Sequence, residues 1–212
     1  PVLAAVVAHD VAVKTACLKG LAAGVSGNAE PLKGAEPAWQ PLVKLVTDRA
    51  PSVRSLAIGL ASRLGFGDRP EIRREMKRAI ALAKDPTAAI SDRRAAVRLL
   101  AFASYDQTAS TFTTLLDPGQ PLDLQLAAVS AMSGLADRKA VLAMLVGWSR
   151  YTPALRKEVL DEVMSREDRL GVLVGALERK TVAVAELNES RRELLMAAGD
   201  SKVAARARRL FA

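Results

Sequence analysis

Apolar residues in this chain recur with the period of an α-helix, in one segment after another. Over 51–65, Val53, Leu56, Ala57, Leu60, Ala61 and Leu64 fall at i, i+3, i+4, i+7, i+8 and i+11. Over 70–84, Ile72, Met76, Ala79, Ile80 and Ala83 follow the same rule, and over 166–178 Leu170, Leu173, Val174 and Leu177 repeat it. Each set puts one apolar stripe on a helix. No convincing two-residue alternation interrupts them, so the pattern predicts an all-α protein without a sheet.

Punctuation residues set the lengths of these segments. Pro37, Pro51, Pro70, Pro121 and Pro153 each open a periodic run, a position where a missing N–H costs nothing. Asp106 and Asp137 precede apolar runs as N-caps do, and Ser165 with Asp168 resembles a capping box. Gly24, Gly65 and Gly199 read as C-terminal stops. The predicted helices are 2–8, 11–24, 37–47, 51–65, 70–84, 91–103, 106–116, 121–135, 138–150, 153–164, 167–179, 189–198 and 201–212. The turn-rich stretch VSGNAEPLKGAE (25–36) reads as an exposed insertion, and TVAVAEL (181–187) as a second irregular connection.

The helices fall into pairs whose second members look alike. SVRSLAIGLASRLG, DRRAAVRLLAFA, DLQLAAVSAMSGL, ALRKEVLDEV and KVAARARRLF share a skeleton of small residues and aliphatics, usually behind an Arg. Arg54, Arg94, Gln125 and Arg156 take equivalent slots, 40, 31 and 31 residues apart. A two-helix repeat of about 30 to 45 residues is the HEAT pattern, and one hairpin buries its stripe only against a neighbour. The expected fold is therefore a right-handed α-solenoid of HEAT/armadillo-like hairpins, about six pairs, forming a single domain over 1–212. Half the residues are hydrophobic and few are aromatic, which suits close helix packing.

Positive charge is concentrated in one quarter of the chain. Residues 49–98 carry 12 basic and 5 acidic side chains, whereas 1–48 balance at 4 and 4 and 99–212 carry 15 and 14. In the Arg slots, inter-repeat hydrogen bonding is the expected role of Arg54, Arg94 and Arg156. The surplus is harder to absorb structurally, because few acids lie nearby. The candidate basic docking surface is Arg54, Arg63, Arg73, Arg74, Lys77, Arg78, Arg93, Arg94 and Arg98. Such a surface implies an anionic partner, either an acidic protein surface or nucleic acid.

Catalytic and metal chemistry finds little support. The one histidine, His9, adjoins Asp10 and reads as part of a turn. With one Cys and one His, no zinc site is available from nitrogen and sulfur ligands alone. GFGDRP (65–70) follows a helix instead of a strand, so it reads as a helix stop and not as a phosphate cradle. Glu158 and Glu162, at i and i+4, are the best carboxylate pair, and a solvated helix face explains them. Cys17 reads as a buried small hydrophobe, and Trp39 and Trp148 as packing residues. The expectation is no catalytic residue, no metal and no cofactor. No stretch of about 18 residues is free of charge or turn signals, so no membrane insertion is expected. PVLAAVVAHD is too short and lacks the basic leader of a signal peptide, and the missing initiator Met suggests a piece of a longer protein.

The last 48 residues carry a family likeness. Leu177, Glu178 and Thr181 in LExxTxxxxEL, RRELL at 191–195 and RARRLF at 206–211 resemble the helical-repeat region of large planctomycete-type membrane-bound dehydrogenase-like proteins. VKTACLKGLAAG and PSVRSLAIGLASRLG look similar too. Members of that family carry a sugar-dehydrogenase-like propeller, then HEAT-like repeats, then a c-type cytochrome domain with CxxCH. Propeller and CxxCH are absent from this sequence, so no catalytic or haem residue carries over. The resemblance implies an exported redox protein in which this region spaces or docks two active domains, with flanking domains of the same polypeptide as partners. The competing readings are a HEAT-like nucleic-acid-binding protein, including an alkylpurine-glycosylase-like enzyme, and a general protein-interaction adaptor. The basic segment favours nucleic acid; the lack of aromatic residues among those charges opposes it.

Overall fold

A computed structural model describes residues 2–25 and 35–212. Among the described residues there are thirteen α-helices and no strand, as the helical spacing predicts. They are α1 (Val2–Val7), α2 (Val11–Gly24), α3 (Trp39–Val46), α4 (Pro51–Arg63), α5 (Pro70–Lys84), α6 (Ile90–Leu99), α7 (Tyr105–Leu115), α8 (Leu122–Ser133), α9 (Arg138–Val146), α10 (Pro153–Met164), α11 (Glu167–Glu178), α12 (Glu189–Met196) and α13 (Ser201–Phe211). Short 3-10 turns over Glu36–Ala38, Leu100–Phe102 and Trp148–Arg150 occupy ends that the sequence pattern assigns to α3, α6 and α9. The insertion read over 25–36 lies mostly outside the described residues.

The helices form two compact units, Pro1–Ala103 and Ser104–Ala212. The apolar period runs on past residue 103 without a Pro-, Gly- or Ser-rich linker, so the sequence pattern does not mark this division. In the first unit α1 packs on α2 and α3, α3 on α4 and α5, α2 on α4, α4 on α6, and α5 on α6. Hairpin partners therefore touch, and so do helices two apart in the chain. In the second unit α7 packs on α8 and α9, α8 on α9 and α10, α9 on α11, and α11 on α13. Leu18, Leu42, Leu45, Ile58 and Leu60 are fully buried in the first core, and Phe112, Leu115, Leu124, Met132 and Met144 in the second. Gly59 permits the close approach of α4 to the following hairpin: a Cβ there would lie 2.7 Å from Phe102 Cζ.

One side-chain position organises the turns inside the hairpins. The fourth residue of α4, α6, α8, α10 and α12 is Arg54, Arg93, Gln125, Arg156 and Arg192. Each points a donor back at carbonyls of the preceding helix end or turn; Asp117 O, Trp148 O and Val184 O also accept a backbone N–H there, so the side chain adds a second bond to those three. Arg54 Nη1 donates to Asp48 O and Arg49 O, both at 2.8 Å. Arg93 Nε reaches Ala83 O at 3.1 Å, and Gln125 Nε2 reaches Asp117 O at 2.8 Å and Gln120 O at 3.2 Å. Arg156 donates to Trp148 O and Ser149 O at 3.1 and 3.3 Å, and Arg192 to Leu187 O and Val184 O at 3.0 and 3.3 Å. The fourth residue of α2, Lys14, instead pairs with Asp48 in the next hairpin's turn at 2.7 Å.

The sequence pattern puts Arg94 in this slot, and the structure puts Arg93 there. The reason is register: α6 starts at Ile90, one residue before its predicted start, so its fourth residue is 93. Three caps also differ. Ser104 flanks α7, and Asp106 lies inside its first turn. Arg166 is the N-cap residue of α11, Ser165 Oγ donates back to Glu162 O, and Asp168 binds Arg166, so no capping box forms. Pro121 precedes α8 as its cap residue and is not its first helical residue. Asp137 caps α9 as predicted, accepting from Lys139 N at 2.8 Å.

Two helices end through a left-handed residue, one foreseen and one not. Gly65 has φ 86°, and Phe66 N closes the turn on Ala61 O at 2.8 Å. Lys180 has φ 59°, and Thr181 N reaches Ala176 O at 2.9 Å in the same geometry. A Cβ makes this conformation unfavourable by about 1 kcal/mol, a cost that glycine avoids. Lys180→Gly should therefore raise stability by about 0.5–1 kcal/mol in urea denaturation, while Gly65→Ala should lower it by about 1 kcal/mol or more. Equal effects at the two sites would contradict these helix ends.

Candidate docking surface on the first unit

The nine candidate cations separate into distinct environments. Arg93 is 6% exposed, so it belongs to the core and offers nothing to a partner. Arg54 is half-buried and engaged by the turn carbonyls described above. Arg63 Nη1 donates to Ala22 O at 2.6 Å, tying the end of α4 to the end of α2. Arg78 pairs one turn back with Glu75, which is itself buried on α5. Arg94 is half-buried. The first four of these cations have a role within the fold.

The rest are different. Arg73, Arg74, Lys77 and Arg98 are exposed. Among the described residues Arg74, Lys77 and Arg98 have no side-chain hydrogen bond or ion pair, and Arg73 meets only Asp68, 3.2 Å away. That pair is open to solvent on both sides, at 60% and 90% side-chain exposure, so it contributes little. Arg73, Arg74 and Lys77 surround a shallow depression of about 330 Å³ next to Pro70. Arg98 stands apart on α6. Like charges at i,i+3 and i,i+4, as at 74/77, 73/77 and 74/78, destabilise a helix by a few tenths of a kcal/mol each.

Another side of α5, beyond Arg78, borders a larger cleft of about 640 Å³. The 47–49 turn, the first turn of α4, and one side each of α5 and α6 enclose it. Its floor is apolar, with Ala79, Ala95, Ala96, Leu82 and Leu99. Asp48 and Glu75 line it with their charges answered by Lys14 and Arg78, while Asp92 stands exposed on its α6 rim. Sequence periodicity marks 79 and 83 as core positions but gives no sign that alanines at 79, 95 and 96 leave space between the helices.

The residues weighed for chemistry are dispersed. Asp10 caps α2, accepting from Val13 N at 2.9 Å, and His9 is exposed in the turn before it. Glu162 accepts from Ser133 Oγ, so it faces α8 and forms no unit with Glu158. Cys17 is half-buried, less enclosed than its apolar neighbours suggest. Trp39 and Trp148 are 7% and 3% exposed; Arg69 stacks over Trp39 and Phe66, and Arg156 over Trp148. Among the described residues no helix is long and apolar enough to cross a membrane. No protein-family model matches the chain, and a comparison with curated proteins finds no match.

The Lys14–Asp48 pair holds the cleft's turn against α2. The hydrogen bond from Lys14 is the main cause that keeps the Asp48 carboxyl below its usual range, followed by the Ala50 amide; burial opposes both. Because the folded-state value is depressed, this stabilisation is complete above the unfolded value near 4 and is lost as pH falls through the folded one. Asp48→Asn should therefore be less stable than the wild-type protein at pH 7, with the difference closing toward about pH 2. Urea melts across that range would show it. A difference of the same size at both ends would remove the ion pair from this account.

Proposed function

We propose that this chain is a non-catalytic docking module in which the hairpins of each unit stack as HEAT-like repeats, and that the exposed face of α5 receives an acidic protein surface. Three features support the repeat reading: helices two apart pack within each unit, hairpin partners touch from α1–α2 to α9–α10 while α12 packs on α13, and the fourth-residue donor recurs at 54, 93, 125, 156 and 192. The docking reading rests on one observation. Arg73, Arg74 and Lys77 stand together, exposed, with one solvent-exposed partner among them, whereas Arg54, Arg63, Arg78 and Arg93 have partners within the fold.

The setting comes from the family likeness alone. It places the module in an exported redox protein, between a dehydrogenase-like propeller and a c-type cytochrome domain. A parent reading frame with a propeller segment upstream and CxxCH downstream supports that setting; a frame with neither contradicts it. Nucleic acid is the less favoured partner, because both tryptophans, Trp39 and Trp148, are buried and unable to stack on bases, and half-buried Tyr105 lies in the second unit, outside the basic segment.

Charge reversal separates the partners. The R73E/R74E/K77E variant should fold normally and lose binding to the adjoining domains of the parent polypeptide. Wild-type binding should weaken as salt rises, because exposed charges are screened beyond about 8–10 Å at physiological ionic strength. Submicromolar binding of duplex DNA at physiological salt, abolished by the same three changes, would make nucleic acid the partner.

A further inference from the structure

The basic face and the cleft lie on adjacent sectors of the same helix. At about 100° per residue, Glu75, Ala79 and Leu82 share the side of α5 that lines the cleft. Arg78, Arg74, Lys77 and Arg73 then follow in order around the helix, in steps of about 40–60°. Arg78, paired with Glu75, therefore stands at the lip of the cleft, and the cations without such a buried partner, Arg74, Lys77 and Arg73, continue outward across the exposed face. Across the cleft the α6 rim carries Asp92 and no such array. The cleft itself is lined by Arg49, Arg54 and Arg78 with Asp48, Glu75 and Asp92 over an apolar floor, and the cations of Arg74, Lys77 and Arg73 lie outside it on α5.

We propose that the cleft and the adjoining face of α5 form one docking site for an acidic protein segment that inserts a large apolar side chain between α5 and α6. The proposal rests on the docking reading above and adds an anchor to it. Leu82, on the floor, is 38% exposed, one of few large apolar side chains left open to solvent. The cleft volume of about 640 Å³ lies within the range of sites that enclose small ligands or anchoring side chains. Asp48 and Glu75 do not repel an acidic segment strongly, since Lys14 and Arg78 answer them. Asp92 does repel one, which keeps the segment's acids off the α6 rim and leaves them the α5 face and exposed Arg49 on the 47–49 turn. A DNA duplex fits poorly here: it has no apolar side chain to insert, and its phosphates would meet Asp92.

The test uses a fluorescein-labelled 12-residue peptide with four Glu on one side of a single Phe, read by anisotropy at physiological salt. Its controls are the same peptide with Phe replaced by Ala, a version with Glu on both sides of Phe, and a 20-base-pair duplex. The one-sided Phe peptide should bind best, and loss of the Phe should weaken it roughly 10- to 100-fold. Ala95→Trp fills the cleft from half-buried Ala95 and should weaken binding as much without changing any charge. Leu82→Glu, at an exposed position, gives a second route to the same result. Asp92→Lys should tighten the two-sided peptide toward the one-sided one. Equal affinity for the Phe and Ala peptides, or unchanged binding by folded Ala95→Trp and Leu82→Glu, overturns the anchor. If R73E/R74E/K77E still abolishes binding in that case, the docking reading stands without the cleft. If no peptide binds, or the duplex binds instead, both fall.

Discussion

The turn between paired helices leaves carbonyls that the helices do not fully satisfy, such as Ala83 O, Asp48 O and Leu187 O, and this chain meets that constraint with a side chain. A long donor at the fourth residue of the second helix reaches back over its own first turn to those carbonyls. A carbonyl buried without a donor costs about 1–3 kcal/mol, comparable to a sizeable share of a domain's stability. An Arg serves better than shorter residues because its fork can serve two carbonyls at once, as at Arg54, Arg156 and Arg192. Glutamine manages the same double contact at position 125. Arg156 goes further, pairing with Glu186 in the connection between α11 and α12 at 2.7 Å, much as Lys14 pairs with Asp48 between α3 and α4. Hairpin turns are thereby tied internally and, in these two places, to the turn that follows.

This constraint decides how the positive charge of residues 49–98 divides. Cations near helix ends and hairpin turns are drawn into the fold: Arg54, Arg63 and Arg93 bind backbone carbonyls. Arg69 holds Glu36 while stacking on Trp39 and Phe66. Arg73, Arg74 and Lys77 lie on the outward side of α5, beyond reach of such carbonyls. Their mutual repulsion is a small standing cost to the helix, and the fold returns only one exposed ion pair for it. A partner that supplies negative charge turns that cost into binding energy.

Much of this was legible in residue spacing. The 3.6 period and the prolines at 51, 70 and 153 place their helices closely, because proline's fixed φ suits the first helical position, whereas Pro121 stands one residue ahead of α8 and Pro37 in the 3-10 turn before α3. The slot was legible at 54, 125 and 156, but as a link between repeats, whereas these side chains bond the turn just ahead of their own helix. It slipped at 93 because Arg93 and Arg94 are chemically identical, and only the true start of α6 tells them apart. Lys14 and Arg192 gave no sign of filling it, since their helices lack the shared skeleton. Lys180 was invisible as a left-handed helix end, because a lysine carries none of the signal a glycine does. The cleft was illegible for a different reason: alanines at 79, 95 and 96 look like close packing in one dimension and become a void only when α5 and α6 are placed.

The central claim is that the arginines of this chain divide into those that hold hairpin turns and those that do not. Chemical denaturation of single Met variants measures that division directly, since Met keeps the length and apolar stem while removing the donor. Arg93→Met and Arg156→Met should each lower stability by about 1–3 kcal/mol, whereas Arg74→Met and Lys77→Met should stay within about 0.5 kcal/mol of the wild-type protein. Equal losses in the two sets, or a larger loss at 74 and 77, would contradict the account.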